Sequence, residues 1–368
     1  MKKINLPNET ALILLCSRLS ISSHNQLKIR QLLSGFINWD EIIKTSTQHE
    51  TLPLVYYNLN KLAFQNIIPE TIFLTMRDYY YINLKRNLVF EKEILTILAL
   101  ADQDKTDIIP FKGFSLIYTV YHNPGLRIMA DVDILTKEDE LSKIKYILYN
   151  LGYRDNDKKV WHYNEQFEII FTKKLALNTF IAIEAHRALS PGRPYKINLP
   201  YLWQRTHKEL ICGHEMQCLS PEDTLLSLVL HLRRHTRRLT LKFIIDIAEL
   251  LNKHGFKSEW HYIKKLTRNN HIITTMYVSL YLAKELLEAD ISSESINEFR
   301  PNIIKTCLIH LAINKYNFFR PKKWRGAFLR LLLFDGAIDF ILYLWRVSFL
   351  ERFITKITAI NTGEKIKK

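Results

Sequence analysis

The stretch that decides the fold contains an acidic pair and, upstream of it, a glycine turn and an arginine: Lys112-Gly113-Phe114-Ser115, Arg127 and Ala130-Asp131-Val132-Asp133-Ile134-Leu135. Ala130 to Thr136 has the alternation of a β-strand, in which successive side chains point to opposite faces. Asp131 and Asp133 should therefore share one face, while Val132 and Ile134 should face a core. Two carboxylates held side by side repel each other unless a cation lies between them. Oxygen ligands at this spacing suit Mg²⁺, which takes one or two protein carboxylates together with substrate phosphates.

The glycine turn indicates what the cation would act on. Lys112-Gly113 follows the short apolar segment Ile108–Phe111, and a segment from Phe114 to Tyr121 has helical character. A glycine at this place lets backbone N–H groups come close to a phosphate. A metal site next to a phosphate cradle indicates phosphoryl or nucleotidyl transfer.

These residues resemble an uncharacterised bacterial nucleotidyltransferase family of the polymerase-beta-like superfamily. The resemblance rests on Lys112-Gly113, Tyr121, Pro124, Arg127 and Asp131-x-Asp133, within a motif region of residues 107–187. Members of the superfamily carry a glycine turn, a helix, a strand with Asp-x-Asp and a third acid on a later strand. Their turn usually reads Gly-Ser or Gly-Gly, whereas this chain has Gly113-Phe114-Ser115 and a longer linker to the acidic pair.

The resemblance implies a metal-dependent enzyme that moves a nucleoside monophosphate from a nucleoside triphosphate to an acceptor and releases pyrophosphate. The implied cofactor is Mg²⁺ or Mn²⁺. The implied catalytic and metal-binding residues are Asp131, Asp133 and Glu184. The implied substrate contacts are Lys112, Gly113, Ser115, Arg127 and His186.

Each of these residues also has a simpler, structural interpretation. A lone Asp-x-Asp can end a strand with two solvated acids, and a glycine can merely join a strand to a helix. The alternatives for single residues are an ion pair of Glu184 with Arg187, a structural role for His186, a helix cap at Ser115 and a salt bridge of Arg127 to Asp131.

A basic segment follows the proposed core. His231 and His235 lie four residues apart on a predicted helix, among Arg233, Arg234, Arg237 and Arg238. Residues at this spacing share a helix face and can bind a metal, but no third ligand accompanies them, so zinc is not predicted. The segment is either a basic face that approaches a nucleotide or an acceptor, or a solvated helix face.

The arrangement of patterns predicts an α+β protein with a small mixed sheet flanked by helices. Residues 1–105 read as a helical N-terminal region, 106–215 as a nucleotidyltransferase-like catalytic core, and 216–368 as a helical, basic C-terminal region. Ser220-Pro221-Glu222-Asp223 is a strong helix start, with a serine cap, a proline in the first turn and two acids.

The net charge of +15 is concentrated near the end of the chain. Residues 301–368 contain 13 Lys or Arg against 4 Asp or Glu, a net charge of +9. This favours an anionic partner, and Lys322, Lys323 and Arg325 are candidates for docking an anionic acceptor. Nucleic acid is compatible with this charge but not required by it. The alternative function is a non-catalytic protein that binds nucleic acid or a membrane surface through this region.

Cysteines and hydropathy suggest the compartment. The four cysteines form no C-x-x-C pair, which predicts reduced, buried thiols in a cytoplasmic protein. The N-terminal residues lack the long apolar run of a signal peptide. Residues 327–350 are very apolar but are interrupted by Arg330, Asp335, Asp339 and Arg346, so we expect a packed helix and no transmembrane segment.

Overall fold

The computed structural model describes residues 6–155, 168–175, 180–190, 197–236, 239–256, 260–319, 323–336 and 341. They form the predicted α+β fold. The helices are α1 Asn8–Cys16, α2 Ser23–Leu33, α3 Trp39–Gln48, α4 Leu52–Lys61, α5 Glu70–Gln103, α6 Gly113–Leu116, α7 Leu141–Asn150, α8 Leu199–Gln204, α9 Pro221–Arg234, α10 Leu241–His254, α11 Trp260–Asn269, α12 Ile273–Leu287, α13 Ser293–Asn297, α14 Ile303–Ala312, α15 Lys315–Phe318 and α16 Lys323–Leu332. A π-helical turn, Ile117–Tyr121, extends α6. A 3-10 turn, Glu138–Glu140, precedes α7. The strands are β1 Ile108–Phe111, β2 Val132–Thr136, β3 Arg154–Asp155, β4 Glu168–Lys174, β5 Phe180–His186, β6 His207–Ile211 and β7 His214–Cys218.

The main sheet has five strands in the order β1-β2-β5-β4-β3. Strands β2 and β5 pair in parallel, and the other neighbours pair antiparallel. The central pair β2–β5 therefore joins two segments about fifty residues apart in the chain. The strand predicted at Val160–Tyr163 lies outside the described residues.

The two faces of β2 bury different partners. Val132 and Ile134 belong to a core between the sheet and helices α5 and α7. Leu135 belongs to a second cluster on the opposite face, with Leu226 and Leu230 of α9. Because Asp133 alternates with Val132 and Ile134, its side chain lies on the α9 face, as the sequence pattern predicts.

The helices from the two ends of the chain share one hydrophobic core. Leu12 of α1 and Leu54 of α4 belong to the same cluster as Leu250 of α10 and Leu282 of α12. Described helices from the regions predicted at 1–105 and 216–368 therefore pack together, although the two regions are separate in sequence. The predicted start of α9 is confirmed, since Ser220 Oγ accepts a hydrogen bond from the Asp223 backbone N–H.

A short hairpin was not predicted from the sequence. Strands β6 and β7 pair antiparallel through a two-residue turn at Cys212 and Gly213, whose φ angles of 51° and 81° are both positive. Positive φ at both positions matches the twist of a hairpin. The boundary predicted at residue 215 falls inside β7.

The described cysteines are all unpaired, as predicted, but only Cys16 and Cys218 are buried. The prediction of burial is wrong for Cys212 and Cys307, which lie in an exposed turn and on α14. Within the described ranges, no helix combines the length and apolar character needed to span a bilayer. Much of the apolar segment 327–350 lies outside those ranges.

Candidate active site

The acidic residues predicted from the sequence lie on neighbouring strands. Asp133 in β2 pairs in register with Glu184 in the parallel strand β5. Asp131 precedes β2 by one residue and is two residues from Asp133, so it lies on the same face. Leu135 pairs with His186 two residues further along. The fold thus brings three carboxylates and one imidazole to a single face of the sheet.

Asp133 is the most strongly paired of the acids. Its Oδ1 accepts hydrogen bonds from Lys112 Nζ at 2.5 Å and from His186 Nε2 at 2.8 Å, and all three side chains are buried. Burial opposes ionisation, but the Lys112 charge and the His186 hydrogen bond outweigh it and hold the pKa of Asp133 well below its usual range. Asp133 is therefore ionised throughout the physiological pH range.

Lys112 reaches Asp133 from an unusual backbone position. It lies between β1 and α6 with φ of 50° and ψ of −118°, a combination that a residue with a Cβ adopts at a cost of roughly 1–3 kcal/mol. Its Nζ lies 4.7 Å from the centre of the Phe111 ring and 3.5 Å from His186 Nε2. The strained turn therefore aims a buried cation at the acidic face of the sheet.

Asp131 has the opposite electrostatic environment. Burial raises its pKa to about 6, and the negative charges of Asp133 and Glu184 add to that rise. Lys112 and Lys242 offset it only in part. An acid that resists ionisation because of its acidic neighbours is one that a cation would stabilise.

The donor atoms fit a divalent cation. Asp133, Glu184 and His186 each offer one ligand atom, and these atoms lie within 4.8 Å of one another. Hard cations such as Mg²⁺ prefer oxygen ligands, so the carboxylates are the better match and His186 is adjacent to them. His186 also lies 3.4 Å from Glu184, through Nε2, and 3.5 Å from Glu168, through Nδ1.

Arg127 is held by a residue that the sequence did not pair with it. Its Nε and Nη2 donate to the two carboxylate oxygens of Asp246 on α10 at 2.8 and 2.7 Å, and Tyr121 donates to the same carboxylate at 2.8 Å. A Cβ on Gly113 would lie 2.7 Å from Arg127 Nη1. Gly113 is therefore required by close packing under a fixed guanidinium. The predicted substrate contacts of Arg127 and Gly113 remain predictions.

Ser115 occupies a different position from the other predicted contacts. It is buried in α6, and its carbonyl oxygen accepts a hydrogen bond from Thr119. Among the described residues that line the large cavity next to the acids, Ser115 is not present. Its predicted phosphate contact also remains a prediction.

A cavity of about 870 Å³ opens over the acidic face. Its floor contains Lys112, Gly113, Arg127, Asp131, Asp133 and Glu184. Its walls come from the end of α3 and the turn after it (residues 48–50), the end of α9 and start of α10 (residues 228–236 and 239–243), and residues 312–313, 317–318 and 325–329. A volume in this range is typical of small-molecule and cofactor sites.

The turn after α3 joins the N-terminal helices to α10 at the cavity wall. The His49 backbone carbonyl accepts from Lys242 N–H, and His49 Nδ1 accepts from Leu241 N–H. Lys242 also pairs with Glu50. The sequence singled out neither Lys242 nor Glu50, because their pairing joins positions almost two hundred residues apart.

The histidines of the basic segment also line the cavity. The rings of His231 and His235 lie 4.5 Å apart, and each packs against Phe243. Burial lowers the pKa of His231 well below its usual value, and the nearby Lys112 charge lowers it further. His231 is therefore neutral and close to the acidic floor. Of the arginines in this segment, Arg234 donates to Glu168 at 3.0 and 3.1 Å, and Arg237 and Arg238 lie outside the described residues.

Comparison with known proteins identifies the family of the chain. The model of the uncharacterised nucleotidyltransferase family matches residues 36–288, and the chain belongs to that family. The match extends well beyond the motif region, from the N-terminal helices to the end of α12, and it confirms the resemblance seen in the sequence.

The chain also has a weak likeness to a solved structure. A solution structure described as the antibiotic-resistance factor ANT(2'')-Ia is similar over 53% of this chain and 96% of its own, with 15% identity and a TM-score of 0.37. A likeness at that level carries no conclusion about function. No curated protein matches the chain significantly.

Proposed function

We propose that this protein is a metal-dependent nucleotidyltransferase that moves a nucleoside monophosphate from a nucleoside triphosphate to an acceptor and releases pyrophosphate. The observation that carries the proposal is the convergence of Asp131, Asp133 and Glu184 beside Lys112 on the floor of the cavity. Family membership supports nucleotidyl transfer in general. The roles that we propose for the site residues give the mechanism of that transfer.

The carboxylates of Asp131, Asp133 and Glu184 would hold Mg²⁺ or Mn²⁺. When bound, such ions neutralise phosphate charge and stabilise a leaving pyrophosphate. The raised pKa of Asp131 supports this assignment, because burial and then the charges of Asp133 and Glu184 disfavour its ionised form, which a bound cation would stabilise. His186 fixes the orientation of Asp133 through its 2.8 Å hydrogen bond.

Lys112 and Gly113 supply the phosphate contacts in this proposal. Lys112 is already placed next to Asp133, so its ammonium group can turn from that carboxylate to a phosphate oxygen once other positive charge is present. The missing Cβ of Gly113 leaves room for the Arg127 guanidinium, and the backbone of Gly113 is the proposed phosphate contact. Arg127, fixed by Asp246, adds positive charge beside Gly113.

Glu184 is the proposed general base. It accepts the proton of the acceptor hydroxyl, and the acceptor oxygen then forms a bond to the α-phosphorus. The bond between the α-phosphorus and the bridging oxygen breaks, and that oxygen leaves with pyrophosphate. The Glu184 side chain is 19% exposed and adjoins Asp133, which allows contact with both a substrate and the acidic pair.

The cellular location that we propose is the cytoplasm. Four unpaired cysteines, two of them exposed, suit a reducing compartment. A pool of nucleoside triphosphates is also required by the proposed reaction.

The test is isothermal calorimetry of Mg²⁺–nucleotide binding with Asp131→Asn and a matched control. Asp139→Asn removes an exposed acid outside the cavity and should bind Mg²⁺–nucleotide as the parent does. Asp131→Asn should bind at least about tenfold more weakly, because one charged ligand is lost. Equal binding by the two variants would contradict the metal assignment.

A further inference from the structure

Three residues that line the cavity, His231, Thr240 and Arg325, each carry a polar atom that the protein leaves unsatisfied. Their Nδ1, Oγ1 and Nε atoms are buried and have no hydrogen-bond partner among the described residues. Buried polar groups in folded proteins are nearly always hydrogen-bonded, and each one without a partner is costly. Three such residues around one cavity indicate that a ligand completes them.

The Thr240 hydroxyl is not satisfied by its own helix. Thr240 occupies the N-cap position of α10, where a threonine hydroxyl normally accepts a hydrogen bond from the first turn of the helix. No such side-chain hydrogen bond is present, and the hydroxyl has no other hydrogen-bond partner among the described residues.

Arg325 is distinguished from the other cations of the cavity by its lack of an ion pair. Lys112 pairs with Asp133, Arg127 with Asp246, Lys242 with Glu50 and Arg234 with Glu168. Within the part of the chain that the structure describes, Arg325 has no ion-pair partner, and its guanidinium lies 5.4 Å from the centre of the Trp324 ring. An unpaired guanidinium at a cavity wall is suited to a phosphate or a carboxylate.

We infer that His231, Thr240 and Arg325 form the acceptor subsite, and that the acceptor is a small molecule carrying a hydroxyl group and an anionic group. The hydroxyl groups of such a molecule can pair with His231 and Thr240, and its phosphate or carboxylate with Arg325. The inference rests on the proposed nucleotidyl transfer and specifies the substrate class of that site.

The size and position of the cavity support a small acceptor over a polymer. Its walls come from three parts of the chain, and its volume of about 870 Å³ suits a nucleotide together with a small molecule. His231 is close enough to Lys112 and Asp133 for their charges to affect it, so a molecule bound there lies next to the acidic floor. The proposed phosphate contacts are on a different element, the turn between β1 and α6.

The first part of the test identifies the class of acceptor. Each nucleoside triphosphate labelled at the α-phosphorus is incubated with the full-length protein, Mg²⁺ and cell extract separated into a low-molecular-weight filtrate and a macromolecular fraction. Label should appear in compounds of the filtrate. The labelled product should bind an anion exchanger more tightly than the nucleotide ester of a neutral hydroxyl compound does. Label in RNA or protein would overturn the inference.

The second part tests the wall itself. Arg325→Gln and Thr240→Val are compared with Arg330→Gln, a control in the same helix α16 that does not line the cavity. Arg325→Gln should raise the apparent KM for the filtrate acceptor about tenfold or more, with Mg²⁺–nucleotide affinity within about twofold of the parent. Thr240→Val should raise the same KM by a smaller factor.

Three further results would overturn the inference. Parent-like kinetics for both wall variants would mean that water completes these atoms, and weaker nucleotide binding with an unchanged acceptor KM would assign the wall to the nucleotide. The third result is the absence of label from every fraction. In that case, calorimetry of Mg²⁺–nucleotide binding by the parent protein tests the proposed function separately from this subsite.

Discussion

Replacing Asp131 and Asp133 one at a time by asparagine should shift the stability of the metal-free protein in opposite directions. The two residues belong to one Asp-x-Asp motif and lie two positions apart in the sequence. Their environments differ because Asp133 contacts Lys112 and His186, whereas Asp131 faces the charges of Asp133 and Glu184.

Asp131→Asn should stabilise the protein at pH 7.5. The folded-state pKa of Asp131 is raised from 3.8 to about 6, so ionisation of this carboxyl lowers the stability of the folded state as pH rises between these values. One pKa unit corresponds to about 1.4 kcal/mol, which sets an upper limit of about 3 kcal/mol for the gain. Partial exposure to solvent reduces this, and we expect about 1–2 kcal/mol. Below about pH 4 the variant and the parent should be equally stable.

Asp133→Asn should destabilise the protein at the same pH. The folded-state pKa of Asp133 is lowered, so its stabilising effect is fully present above its unfolded pKa and is lost only as pH falls towards the folded value. The substitution leaves the ammonium of Lys112 buried without its carboxylate. Removing one partner of a buried ion pair costs about 3–5 kcal/mol.

The assay is urea unfolding in EDTA, followed by circular dichroism, at pH 7.5 and pH 4. Asp139→Asn, at an exposed position, should change the free energy of unfolding by less than about 0.5 kcal/mol. The reasoning is refuted if both site variants lose stability to the same extent, or if Asp131→Asn gains none at pH 7.5.

Three further substitutions test other parts of the site. Glu184→Gln should lose about 10²–10⁴-fold in the transfer rate, a larger factor than the roughly tenfold loss of Mg²⁺–nucleotide affinity expected in calorimetry for one missing ligand, whereas unchanged turnover would reduce Glu184 to a surface acid. Asp246→Asn should lower the free energy of unfolding by about 3–5 kcal/mol, measured with urea, because Arg127 is left buried and unpaired; a loss below 1 kcal/mol would contradict the pairing. Gly113→Ala should lower the free energy of unfolding by about 1–3 kcal/mol, because its Cβ would lie 2.7 Å from the Arg127 guanidinium. Gly35→Ala is the tolerated control, since the nearest atom to its Cβ would be 3.5 Å away. Equal unfolding midpoints for the two variants would refute the close packing at Gly113.

The alternation of apolar and acidic residues was enough to predict strand β2 and its two faces. Val132 and Ile134 lie in the core on one side, and Asp133 lies on the other, because a period of two leaves no other arrangement for a half-buried strand. The resemblance to a family then supplied Glu184, and the structure places it beside Asp133 in register. The roles of these acids remain to be tested.

Interactions between distant parts of the chain could not be predicted. The buried pair of Arg127 and Asp246 joins positions 119 residues apart, and the sequence suggested Asp131 or a phosphate as the partner of Arg127. The cavity wall is built from segments of both helical regions, whose docking depends on shared apolar packing and leaves no local pattern. The β6–β7 hairpin was missed because its short strands are mostly polar and lack a clear alternation.

The most direct test of nucleotidyl transfer compares two labelled forms of one nucleoside triphosphate in the presence of Mg²⁺ and acceptor. With label at the α-phosphorus, the acceptor should become labelled; with label at the γ-phosphorus, labelled pyrophosphate should be released and the acceptor should stay unlabelled. Asp131→Asn should abolish both signals, and Asp139→Asn should preserve them. Transfer of the γ-label to the acceptor would show phosphoryl transfer instead, and it would contradict the function proposed for this site.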